Sequence, residues 1–257
     1  MQLPPITPTE APAQARPFAR SIHAPRTQAN YVTFRLFHGE EPATLSIRDQ
    51  VAVRIAERII EQRWKPGQRI SEQAVAEEFS VSKAPVSDAL MLLEYAGLVV
   101  SEARRSAHVA PMSAADFREA QEYGEALTSV IYPRFVERHT ATDRRIMSEY
   151  IDYLRELVDD DARAFQFVEI ADRFILYMGV HSGNRRVARA MWPLSLQLLR
   201  YFSTNIRSRR QRERVLNWFV DSLPYLDARD AKGLMAMAAR SREETLAQVR
   251  EALQETA

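Results

Sequence analysis

The chain has 257 residues, 46% of them hydrophobic and 27% charged, the balance of an ordinary globular protein large enough for two domains. Zero cysteines exclude disulfides and thiolate chemistry, and neither a membrane-length apolar run nor a signal-like leader is seen, so a cytoplasmic location and no membrane partner are expected. The net charge is +1, and residues 44–112 hold nine Lys/Arg against nine Asp/Glu, so bulk charge gives no pull toward nucleic acid.

Residues 1–43 carry seven of the 13 prolines and little apolar period, which reads as a flexible arm. From Leu45 the pattern changes. Ile47, Val51, Ile55 and Ile59 recur every four residues, one stripe of a helix that Pro66-Gly67 should stop. Ser71 is placed to cap a short second helix with Val75 and Phe79 inside. Ser80-Val81-Ser82 makes a turn, and a third helix opens at Ser82, tolerating Pro85 in its first turn. Its inner stripe is Val86, Leu90 and Leu93, and Gly97 suits its end. Residues 98–100 and 108–110 read as two short strands around a polar tip. Three helices and a small hairpin give a winged helix-turn-helix over residues 44–112.

Residues 113–257 are wholly helical in pattern. Ser113 and Asp116 open a helix running to about Arg138, followed by amphipathic segments near 142–159, 162–180, 184–205, 209–226 and 228–254. Pro133, Pro193 and Pro224 are expected to kink or end their helices. The basic run Arg207, Arg209, Arg210, Arg212 and Arg214 is expected in a solvated turn between helices. The fold class is mostly α: the winged unit plus an antiparallel helical bundle.

Several features mark a family. Pro66-Gly67, Ile70-Ser71-Glu72, Val81-Ser82-Lys83-Ala84-Pro85-Val86, Leu93-Glu94 and Gly97-Leu98-Val99 closely resemble, in order and spacing, the DNA-binding half of the GntR family of bacterial regulators. Ala76 supplies the small residue needed where the second helix meets the third. The resemblance implies DNA contacts from Arg69, from Ser82, Lys83, Ala84 and Ser87 on the third helix, and from Arg104, Arg105 and Ser106 at the wing tip. Lys83 and Ser87 stand where the family commonly has arginine, and Ala84 where it has threonine, which implies altered base readout.

Phe174, Ser182-Gly183-Asn184 and Arg229-Asp230 make the helical half similar to the FCD-type sensor domain of the FadR-like branch. That domain commonly binds a metal through one aspartate and three histidines, positions that fall here on Ala171, Ile175, Phe219 and Ser241. None of these ligates a divalent ion, so no metal or other cofactor is expected. The five histidines are scattered, and none shares an i, i+4 spacing with another. A small organic effector between the helices is expected instead, with Tyr123, Arg173, Tyr177, Arg200 and Asn205 as candidate polar contacts.

No paired catalytic carboxylates, nucleophile motif or histidine cluster points to an enzyme. The sequence therefore reads as a homodimeric regulator, by default a repressor, that binds a double-stranded DNA operator under control of an effector. The alternative is a helical interaction scaffold whose helix-turn-helix no longer reads DNA.

Overall fold

The computed structural model describes residues 45–102, 106–205 and 208–254, and the chain divides after Met112 into two compact units. The N-terminal arm of residues 1–43, Arg104, Arg105 and Arg207 lie outside the described residues.

In the first unit, α1 (Ile47–Ile60) begins with a reciprocal capping box: Ser46 Oγ accepts the Asp49 amide, and Asp49 accepts the amide of Ser46. Val51, Ile55 and Ile59 are buried as the stripe requires, whereas Ile47, in the first turn, is 43% exposed. The helix stops earlier than Pro66-Gly67. Gln62 sits at φ 59°, and the Trp64 amide turns back to the Arg58 carbonyl. Pro66-Gly67 instead leads into β1 (Arg69–Ile70), with Gly67 at φ 74°. A two-residue strand has no period to read, so sequence reasoning missed it.

The short α2 (Glu72–Phe79) is capped by Ser71, which accepts the Ala74 amide. It ends at Ser80 in the left-handed conformation, φ 56°, which turns the chain into α3 (Lys83–Tyr95). Ala76 is buried, as the close approach of α2 and α3 requires. Then β2 (Val99–Glu102) and β3 (Ser106–Val109) form an antiparallel hairpin, and β1 adds to its other side in the order β1-β3-β2, Arg69 opposite His108. Arg58 ties α1 to α2: it holds both Glu78 oxygens at 2.6 and 2.8 Å and lies 4.8 Å over the Phe79 ring.

Glu57 on α1 is the unit's one described carboxyl pushed up to about 7. Burial is the main cause and Glu61 adds repulsion, while Arg63, Arg54 and Arg58 offset part of it. Its unfolded value is near 4.5, so between roughly pH 4.5 and 7 the folded state binds the extra proton. Stability therefore falls as pH rises through that window. Glu57→Gln is expected to flatten this slope and to raise stability at pH 8 by about 1–2 kcal/mol. Urea unfolding at pH 5 and pH 8 measures it; an unchanged pH slope would sink the assignment.

The second unit is a helical bundle: α4 (Ala114–Arg138), α5 (Ala141–Leu157), a 3-10 turn (Asp161–Arg163), α6 (Ala164–His181), α7 (Arg185–Asn205), α8 (Arg209–Asp227) and α9 (Ala231–Gln254). Ser113, Thr140 and Ser208 cap α4, α5 and α8 through their third amides. Asp230 accepts the Gly233 amide at the start of α9. Beside it, Arg229 donates to the carbonyls of Val136, Glu137 and His139, which closes the end of α4. Pro133, Pro193 and Pro224 lie inside α4, α7 and α8 rather than ending them.

The basic run also departs from expectation. Arg209–Arg214 is the start of α8, not a turn, because Ser208 and Gln211 form a capping box there. Arg212 is fully buried, its Nε donating to the Val158 carbonyl at 2.8 Å and its Nη2 to Asp161. No described helix is long and apolar enough to cross a membrane.

Candidate functional site

The start of α3 differs from every other capped α-helix described above. In α1, α2, α4, α5 and α8 the cap side chain accepts the amide three residues on. In α3 that third residue is Pro85, which has no N–H, so the Ser82 hydroxyl makes no cap bond. The first turn also lacks an acidic residue. The positive end of the α3 dipole, with the amides of Lys83 and Ala84, is thus left for an outside anion.

The side chains around it fit a phosphate-bearing partner. Ser82, Lys83 and Ala84 are exposed and Ser87 is half-buried beside them, while Val86, Ala89, Leu90 and Leu93 anchor the helix in the core. Among the described residues no carboxylate within 4 Å neutralises Lys83 or Arg69, whereas Arg48, Arg58 and Arg63 are held by Asp49, Glu78 and Glu61. The even charge balance of the unit is therefore spent on internal pairs, leaving cations at the α3 end and on β1. Arg69 is placed on β1 opposite His108, and Ser106 opens β3 opposite Glu102. The outer face of α3 continues through Asp88 to Met91 and Tyr95, 60% and 75% exposed.

The second unit holds a cavity of about 240 Å³ walled by α4, α6, α7, α8 and α9. Ala171, Ile175, Phe219 and Ser241, the positions implied for metal ligands by family resemblance, all lie on its wall. An alanine, an isoleucine, a phenylalanine and a serine are not a donor set for a divalent cation, and no group of three or more acidic or histidine side chains suited to a metal occurs among the described residues. The residues present do not fit the metal.

The polar contacts expected from sequence lie elsewhere. Tyr123 is 49% exposed on α4. Tyr177 spends its hydroxyl on Asp143 at 2.5 Å, which also drives the phenol well above its ordinary value after burial, and its ring stacks on His181. Arg200 is buried, and desolvation holds its guanidinium below the usual range. Neither these nor Arg173 lines the cavity. Asn205 closes α7, and its side chain lies outside the described residues. The polar groups on the wall are instead Asp172 with Ser195, and Glu125 with Arg242. Asp172 follows Ala171 directly, the adjacency that could have marked it.

Comparison with known proteins agrees with both halves. Residues 47–109 match the gntR family of bacterial regulatory proteins, and residues 119–244 match the FCD domain. YdhC of Bacillus subtilis (strain 168), an uncharacterised HTH-type transcriptional regulator, is 22% identical over 124 residues. That alignment takes in 48% of this chain and 55% of YdhC, so the chain spans about half the length of this curated relative. The structure of E. coli McbR/YncC superposes with a TM-score of 0.65 at 20% identity, covering 83% of this chain and all of that one. Lar, described as controlling the Listeria monocytogenes agr system, gives 0.58 at 17% identity over 82% of this chain and 99% of its own. At such identities the likeness is one of fold. The two family matches together take in most of the sequence, and the chain belongs to the GntR family of bacterial regulatory proteins, joining that family's DNA-binding domain to an FCD effector-binding domain.

Proposed function

We propose that this regulator is a cytoplasmic, homodimeric repressor, released from its operator by an organic effector that occupies the second unit's cavity without metal. The observation carrying the DNA half is the uncapped start of α3, where proline removes the amide its own cap would use and Lys83 stands exposed. One such helix end reads too few base pairs for a specific site, and a two-fold pair reads two half-sites. The apolar replacements at Ala171, Ile175 and Phe219 support an effector held by packing and a few polar groups rather than by coordination. An effector that prefers one dimer geometry would change operator affinity by about 1–3 kcal/mol.

The test is a band shift on the DNA upstream of the protein's own coding sequence, repeated over a range of salt. Lys83→Ala is expected to weaken binding to all sequences and to make the slope of log affinity against log salt shallower by about 2, since a dimer loses two phosphate contacts. An unchanged slope would count against phosphate contact by Lys83. Failure of the unaltered protein to bind at low salt would count against the regulator itself.

A further inference from the structure

The cavity's own side chains narrow what it holds, given its reading as the effector site. A cavity of roughly 150 Å³ admits benzene, so about 240 Å³ takes one ring system with a short substituent. Tyr132, Phe202, Trp218 and Phe219 give aromatic surface from α4, α7 and α8, which favours a flat, apolar ligand body.

The charges fix the polar end. Arg242, 17% exposed, is the cation a ligand carboxylate would seek, but Glu125 already pairs with it. Arg214 and Glu244 also line the cavity and are exposed, one of each sign. Asp172 is different. It is half-buried on α6, and its recorded partner on the wall is the neutral hydroxyl of buried Ser195. A carboxylate offers about four lone-pair sites, and one hydroxyl donor fills one of them. An anionic ligand group brought to this wall meets a like charge, whereas an ammonium or a ring N–H meets an acceptor.

We propose that the cavity selects a compact aromatic amine, or a heteroaromatic ring with N–H donors, seated on the aromatic wall with its donor on the Asp172 carboxylate. A small carboxylate such as a metal-dependent FCD site would hold is disfavoured here by the same group.

Calorimetry on the full chain with matched probes decides this: tryptamine, indole-3-acetate of nearly equal size, citrate, and Zn²⁺ alone. Tryptamine is expected to bind at least tenfold more tightly than indole-3-acetate, and citrate and Zn²⁺ not at all. Asp172→Asn is expected to abolish the preference for the amine, with the melting temperature of the unliganded variant as the control for folding. Indole-3-acetate or citrate binding more tightly, stoichiometric Zn²⁺ uptake, or no tryptamine binding at millimolar concentration overturns the proposal. The comparison within the unaltered protein stands even where the variant fails to fold. Tryptamine that binds as expected but leaves operator affinity unchanged supports the ligand class and counts against the effector role, so the two readings fail separately.

Discussion

Arg212→Ala is expected to destabilise the second unit by about 3–5 kcal/mol, the largest effect of any single substitution considered for this protein. Two losses add. The side chain is fully buried, so its removal leaves a void of the size for which truncating a long core side chain costs about 2–5 kcal/mol. The Val158 carbonyl also loses the Nε donor that now reaches it at 2.8 Å, and a buried acceptor without a partner costs about 1–3 kcal/mol. Loss of the Asp161 contact adds little, because that carboxylate is 82% exposed and water replaces the guanidinium. Arg212→Met separates the terms: it keeps most of the packing, removes a buried charge, and should cost less than about 2 kcal/mol. Urea unfolding followed by circular dichroism checks both. Equal losses in the two variants would show that packing around the side chain is not what it supplies.

The arginine run shows where the sequence stops being legible. Five closely spaced arginines look alike on paper, and their number suggested a wet turn. What decides Arg212 is a carbonyl 54 residues earlier, whose position no local pattern contains. The effector contacts failed for a related reason. Tyr177 looked available because its own helix does not reveal that Asp143, 34 residues away, takes its hydroxyl. By contrast, the helix-turn-helix was legible because its signals are local: a capping serine at Ser71, a left-handed turn at Ser80, a proline in the first turn of α3, and Gly97 at φ 73° past its end. The cavity was legible in position though not in content. Ala171, Ile175, Phe219 and Ser241, far apart in sequence, came together on one wall because the family's spacing carried them there. The β1 strand was not, since Arg69 and Ile70 become a strand only by lying against His108 and Ala107.

Ala84→Glu is expected to make the DNA-binding unit slightly more stable while removing most of its affinity for DNA. Ala84 is the exposed second residue of α3, in a first turn that has no acidic residue and no side-chain cap. A carboxylate there meets the positive end of the helix dipole, which stabilises a helix by about 0.3–1 kcal/mol. The same carboxylate occupies the place where the proposed DNA contact brings a phosphate or base edge. A like charge about 4 Å away costs about 1–4 kcal/mol between the limits of bulk water and a protein surface. Paid once per protomer in a dimer, that is a loss of roughly 30-fold or more. Ala84→Gln provides the neutral comparison of the same length and should lose far less. Thermal unfolding and band shifts on the same preparations read the two effects independently. If the glutamate variant binds operator as tightly as the unaltered protein, the start of α3 does not face the duplex. The missing cap would then be only a by-product of Pro85.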